Sequence, residues 1–357
     1  MKHTAVDLVR PTKTDHHLSL NRRAFIALVA VEFVRPVSAA AQPLLVGGRP
    51  VAIEVRAQPI TAFSPREPSR REFDRLTFRG GIILTSPYRG FGGISAIRVA
   101  ADGADFIALS DRGRWFKGRI LYEGERPIGI ADAVMAPIRG PNGQALAARG
   151  WHDTESIAQD GDTLYVGIET VNQILRFDYG KDGLLARGQP IVVPPGVRRL
   201  PPNKGLEALV FVPRELPLGG SLIAISEHGL DRAGNLFAFL IGGPSPGTFS
   251  IRRTEDLDIS DAALLPGGDL LILERSFNWT DGLNVRIRRV PLTDIRPGAL
   301  VDGPELFKAD LSYEIDNMEG LSVHLTPSGE VVLTLISDDN FSPIQRTLLL
   351  QFTLTEP

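Results

Sequence analysis

A unit of two short strands recurs five times between residues 93 and 338, and this repeat constrains the chain more than any other feature. Each unit opens on a short apolar strand marked near its start by Ser95, Glu155, Glu207, Asp261 or Glu319. A turn follows, usually carrying glycine. A second and stronger apolar strand then ends on an acid: Asp111, Glu169, Glu227, Glu274 or Asp338. The opening markers lie 60, 52, 54 and 58 residues apart, and several units continue into a third strand, as at 173–177, 235–240, 285–290 and 347–352. A strand-rich unit at about this period is the signature of a β-propeller, with one four-stranded blade per unit. The 36 glycines and 27 prolines exceed the usual combined share of about 12% and supply the turns. Helical periodicity is nearly absent, so the expectation is an all-β propeller. Strands at 51–56 and 77–85 belong to none of the five units and predict a further blade. Six blades are expected, with five or seven as alternatives. Ring closure predicts that an N-terminal strand pairs with the C-terminal strand 347–354.

The net charge of −3 conceals an uneven distribution. Residues 1–41 carry six basic side chains against three acidic ones, which leaves 33 basic against 39 acidic in the remainder. Asn21-Arg22-Arg23-Ala24-Phe25-Ile26 resembles a twin-arginine export motif ahead of an apolar stretch that ends near Val34, and Ala39-Ala40-Ala41 offers a cleavage site. Residues 1–41 are therefore read as a signal peptide and 42–357 as a single propeller domain. The expected location is the periplasm or the exterior of a bacterium. No segment is long and apolar enough to span a bilayer, so no stable membrane insertion is expected after signal removal. An acidic body argues against nucleic acid as a partner. The absence of cysteine removes disulfides, thiol nucleophiles and Cys-ligated metals.

In each blade the first strand runs along the central channel and the second returns antiparallel to it. The start of the first and the end of the second therefore meet at one mouth. Nine acids are expected to converge there: Asp111, Glu155, Glu169, Glu207, Glu227, Asp261, Glu274, Glu319 and Asp338. Crowded carboxylates need a bound cation, basic partners or raised pKa values. Without cysteine, a cation held by these oxygens, with Asn203, Asn317 and Asn340 as further donors, is expected to be Ca²⁺, with Mg²⁺ as the alternative. Arg112, Lys204, Arg275, His152 and His228 lie next to or near these acids in sequence. The competing reading is that each acid merely ties down a turn by accepting backbone N–H bonds.

The segments Phe91–Ser95, Ser110–Gly113, Asn203–Ala208 and Leu273–Arg275, with Asn317–Leu321 and Ile336–Phe341, resemble the esterase-like phytase family of exported bacterial propellers. The resemblance extends roughly from Phe78 to Thr353. It implies a propeller and a hydrolase of phosphoesters; with the acidic mouth this gives metal-assisted hydrolysis of a small-molecule phosphoester, and a monomer is expected. On that reading Glu155, Glu207, Glu319 and Asp338 carry the chemistry, with His152 or His228 as general acid or base. Arg112, Lys204 and Arg275 would neutralise phosphate. Ser95 departs from the pattern, standing where three other units carry Glu. Two alternatives stay open: a Ca²⁺-dependent lactonase or carboxyl-esterase, and a non-catalytic propeller that binds an envelope component.

Overall fold

The computed structural model describes residues 48–278 and 282–355. The opening strand of each unit is a short, almost wholly buried run: Ile94–Val99, Thr154–Asp160, Leu206–Phe211, Asp258–Leu264 and Met318–Leu325. Strands this short and largely buried on both faces suit the innermost position of a blade, enclosed by neighbouring blades. The five stand side by side in chain order around a central channel, the fifth meeting the first.

Each inner strand pairs antiparallel with its successor, and the sheets build outward. Blade 1 adds Asp105–Ser110, Arg114–Glu123 and Arg126–Pro137, and blade 2 adds Thr163–Ile168, Gln173–Asp178 and Gln189–Pro190. Blade 3 adds Ser221–Leu230, Leu236–Gly242 and Gly247–Ile251, and blade 4 adds Leu270–Asn278, Gly282–Val290 and Glu305–Asp310. The two-residue strand Leu300–Val301, from the loop after the third strand of blade 4, pairs parallel with Gly247–Ile251 and ties blade 4 to blade 3.

The ring has five blades, not the expected six. The N-terminal strands form no sheet of their own. Leu76–Thr85 pairs antiparallel with Thr347–Leu354, and Arg56–Ile60 lies outside Leu76–Thr85, so both extend blade 5. Val51–Ala52 caps the outer edge of blade 1. The pairing of N- and C-terminal strands closes the ring and covers the edge that Thr347–Leu354 would otherwise expose. The signal-peptide reading falls on residues 1–41, outside the described residues.

The core fills the clefts between blades. Phe63, with no exposed surface, packs against Phe73, Phe78, Phe307 and Phe352 between blades 4 and 5. Trp115 of blade 1 meets Phe177 of blade 2 edge-on, their ring centres 5.2 Å apart. Such contacts fix the angle between sheets and hence the shape of the channel mouth.

The channel is bridged from within. Arg98, on the inner strand of blade 1, reaches across it and binds the Asp261 carboxylate of blade 4 through both terminal nitrogens, at 2.9 and 3.1 Å. It also donates to the carbonyls of Leu321 and Leu209, so one side chain touches blades 1, 3, 4 and 5. Asp261 has no exposed surface and accepts the N–H groups of Leu321 and Ala262 as well. Burial pushes its carboxyl up despite the Arg98 guanidinium.

Candidate functional site at the channel mouth

One local device is repeated in every blade. The pairing of inner and second strands slips by one residue at Ser95, Glu155, Glu207, Ser260 and Glu319, each a bulge with no partner opposite it. A bulge re-aims the side chain it carries. Glu155, Glu207 and Glu319 consequently line a cavity of about 280 Å³ at the mouth. The two serines serve as staples between blades. Ser95 Oγ donates to Thr154 O at 2.6 Å and Ser260 Oγ to Met318 O at 3.0 Å.

A second recurring contact places the acids that end the second strands. The N–H of Asp111, Glu169, Glu227 and Asp338 donates to the carbonyl of Gly93, Asp153, Gly205 and Asn317 respectively, at 2.8–2.9 Å. Each acceptor lies two residues before the bulge, so acid and bulged residue sit together at the mouth. Gly205 also donates its N–H to Glu169 Oε1 at 2.6 Å. A Cβ at Gly205 would stand 2.2 Å from Asn172 Oδ1, so only glycine permits that approach.

Blade 4 breaks the pattern and corrects two assignments. Its bulge is Ser260, so Asp261 sits one position further along and turns into the channel toward Arg98. Its second strand pairs Ile259 with Glu274 and Asp258 with Arg275, so Arg275 occupies the place that acids hold in the other blades. Glu274 points away from the mouth, fully buried, and takes Arg286 Nε and Arg288 Nε at 2.8 Å and Arg288 Nη2 at 2.5 Å. Of nine acids expected at the mouth, Asp261 and Glu274 lie elsewhere. Seven are brought together, and Asp153, which the sequence reading did not single out, joins them with Asn203 and Asn340. The signal for Asp153 was its position, two before the marker Glu155, matching Gly93, Gly205 and Asn317.

Arg275 is the cation among the cavity-lining residues, 2.8 Å from Glu319 and 3.6 Å from Glu227. One guanidinium cannot balance eight carboxyls, and the acids respond. Burial lifts Glu155 and Glu207 well above the usual carboxylate range, and neighbouring carboxylates lift them further. Burial likewise raises Glu319 to about 8 against the pull of Arg275, and Glu169 to about 7 against the Gly205 N–H. Asp338 reaches about 7 through burial and the charge of Asp111, and Asp111 about 6 through burial, tempered by Arg112. Carboxylate oxygens of Glu169, Glu207 and Glu227 lie within 4.8 Å of one another, a spacing able to hold one cation.

The remaining expected residues stand at the rim and do not line the cavity. The Arg112 guanidinium lies 3.2 Å from the centre of the Phe341 ring, and it makes no hydrogen bond or ion pair among the described residues. Lys204 is exposed; burial raises the Glu227 carboxyl, and the charges of Arg275 and Lys204 only partly offset this. His152 is exposed and bonds Asp153 Oδ1 at 3.0 Å, while His228 pairs with Asp258 at 2.8 Å, turned toward blade 4. Asn317 donates its side-chain amide to Glu319 Oε1 at 2.8 Å.

A family profile described as "Phytase-like: Esterase-like activity of phytase" matches residues 89–341, which include every acid of the mouth. The chain belongs to this family. No curated protein matches the chain. Among solved structures, the phytase-like propeller is similar to a PQQ-bound aldose sugar dehydrogenase from Streptomyces coelicolor. The identity is 12%, the match covers 86% of this chain and 99% of that one, and the TM-score is 0.41. A putative glucose dehydrogenase from Thermus thermophilus matches at 16% identity over 83% and 100% of the two chains, with a TM-score of 0.31. A protein of unknown function from Bacteroides caccae matches at 10% identity over 70% of each chain, with a TM-score of 0.30.

Proposed function

We propose that this phytase-like propeller is an exported hydrolase of small phosphoesters that works with a divalent cation held at the acidic mouth. The observation that carries the reading is the convergence of Glu169, Glu207 and Glu227 in a site ringed by further acids and, among the described residues, one arginine. The donor set fits a hard cation. Every candidate ligand is a carboxylate or amide oxygen, and the raised carboxyls report negative charge short of compensation. Calcium suits such a set, with magnesium as the alternative. Glu169, Glu207 and Glu227 would hold the ion. When bound, it supplies Lewis-acid polarisation and charge neutralisation at the phosphoryl group.

The chain's own side chains supply the rest. Arg112, uncommitted at the rim, is free to take a phosphoryl group by its two-pronged edge while Phe341 fixes its plane. Arg275 holds Glu319 and Glu227 in place from the opposite side. Asp338, about 7, can take or give a proton near neutrality at a carboxyl oxygen. Arg98 and Asp261 bridge the channel beneath, which favours entry and exit of substrate by the acidic mouth. The leader read in residues 1–41 supports export.

The test uses chelator-treated protein with p-nitrophenyl phosphate, bis-p-nitrophenyl phosphate and p-nitrophenyl acetate, with Ca²⁺ or Mg²⁺ restored. Phosphoester turnover is expected only with the cation, and Glu207→Gln should weaken its binding about ten- to a hundredfold. Turnover of the acetate alone would move the protein to a carboxyl-esterase. Folded protein inert toward all three substrates with either ion would overturn the reading.

A further inference from the structure

A large cavity lies at the end of the propeller opposite the acids, and its charge has the other sign. It measures about 950 Å³ and is bounded by Pro266-Gly267, in the turn after the inner strand of blade 4, by Gly329 in the matching turn of blade 5, and by the outer hairpin of blade 1. Four arginines line it, Arg71, Arg79, Arg126 and Arg289, against two carboxylates, Glu125 and Glu330. A net positive pocket is unexpected in a body that carries 33 basic against 39 acidic residues.

Arg79 is the informative side chain. It is 9% exposed, its Nε has no hydrogen-bond partner, and its one hydrogen bond among the described residues runs from Nη1 to Thr353 Oγ1 at 3.0 Å. Glu125 and Glu330 form long ion pairs with it at 3.6 and 3.7 Å, without hydrogen bonds, and are 66% and 43% exposed. Nε is closed off from solvent, so a ligand would meet the Nη1–Nη2 edge, whose one hydrogen bond goes to Thr353, and buried guanidinium donors left idle are costly. Two other buried arginines, Arg288 and Arg98, are saturated, whereas Arg114 Nη1 and Arg275 Nε lack a partner as Arg79 Nε does. Arg288 is locked by Glu274, Asp302 and the carbonyl of Arg252, and Arg98 by Asp261 and four carbonyls. Arg71 donates to Thr61 O, while Arg126 and Arg289 are paired with Glu123 and Asp269, so they set the field around Arg79 without occupying it.

We infer that this cavity is a second ligand site, which binds a small phosphorylated organic anion with the phosphoryl group on Arg79. Guanidinium and phosphoryl match in planar, two-pronged geometry. The volume exceeds the need of an inorganic ion and leaves room for the organic part. The site is independent of the chemistry at the acidic mouth.

Calorimetric titration of chelator-treated full-length protein with glycerol 3-phosphate tests the inference, with sodium acetate as the control anion. One site is expected, with acetate binding at least about tenfold more weakly. Arg79→Gln should reduce affinity tenfold or more, and Glu207→Gln at the mouth should leave it unchanged. The double variant Glu125→Gln/Glu330→Gln changes only exposed positions and should raise affinity by about threefold, because two competing charges are gone. This variant keeps the test decisive if Arg79→Gln does not fold. The inference is overturned by the absence of binding, by equal binding of acetate, by loss on Glu207→Gln with retention on Arg79→Gln, or by no change in the double variant.

Discussion

Replacing Asp338 by Asn should stabilise the cation-free protein at pH 8 and leave its stability unchanged at pH 4. Asp338 is 6% exposed, and its Oδ1 accepts the N–H of Asn340 at 2.6 Å, a bond that the amide oxygen of Asn can also accept. Burial and the nearby Asp111 raise its pKa from an ordinary 3.8 to about 7. In the unfolded chain the group ionises near pH 4, whereas in the folded protein it keeps its proton to about 7. Between those values the folded state binds more protons, so stability falls as pH rises and levels off above the folded pKa. The gap is roughly three pH units at about 1.4 kcal/mol each, hence about 4 kcal/mol as an upper figure at pH 8. Neighbouring carboxyls share the proton release, so a gain of about 2–4 kcal/mol is expected. Urea unfolding in EDTA, followed by the fluorescence of buried Trp115, reads it directly. Curves for the two proteins should coincide at pH 4 and separate progressively up to pH 8. Equal separation at both pH values, or a less stable variant at pH 8, would refute the argument that unbalanced charge burdens the mouth.

Two further outcomes probe the frame beneath the site. Arg98→Met leaves the Asp261 carboxylate buried without its partner and should cost about 3–5 kcal/mol, while Arg98→Met/Asp261→Leu should recover part of that loss. A double-variant cycle in urea measures this, and full additivity would show that the two do not act as a pair. Gly93→Ala places a Cβ at a φ of +62°, 2.3 Å from Asp111 Oδ1 and 2.4 Å from the Phe341 ring, and should cost about 2–4 kcal/mol in thermal unfolding. A loss under about 1 kcal/mol would mean that the mouth relaxes around Asp111 more freely than its contacts suggest.

The repeat made much of the fold legible, because a blade is a local object and its two inner strands are joined by a short turn. The blade count was not legible. Strands 56–60 and 76–85 carry the same apolar signature whether they begin a new sheet or extend blade 5, and only pairing with residues about 270 positions away distinguishes the two. At the mouth, Glu155, Glu207 and Glu319 could be read from the repeat because marker and bulge coincide there. In blade 4 they part. Ile259-Ser260-Asp261 parallels Ile94-Ser95-Ala96, so Ser260 takes the bulge and the adjacent acid is displaced by one. The apolar residue before four of the five bulges, Ile94, Leu206, Ile259 and Met318, was the available signal for that register, with Thr154 in that place in blade 2.

The sequence by itself determined a ring of repeated two-strand units with acids delivered to one mouth, since that follows from spacing and from antiparallel return. Tertiary structure decided which acids face inward and what compensates them. Side chains alternate across a strand, so a one-residue slip exchanges inside for outside. That slip sends Asp261 to Arg98 and Glu274 to Arg286 and Arg288, and it leaves Arg275 as the arginine among the acids of the mouth.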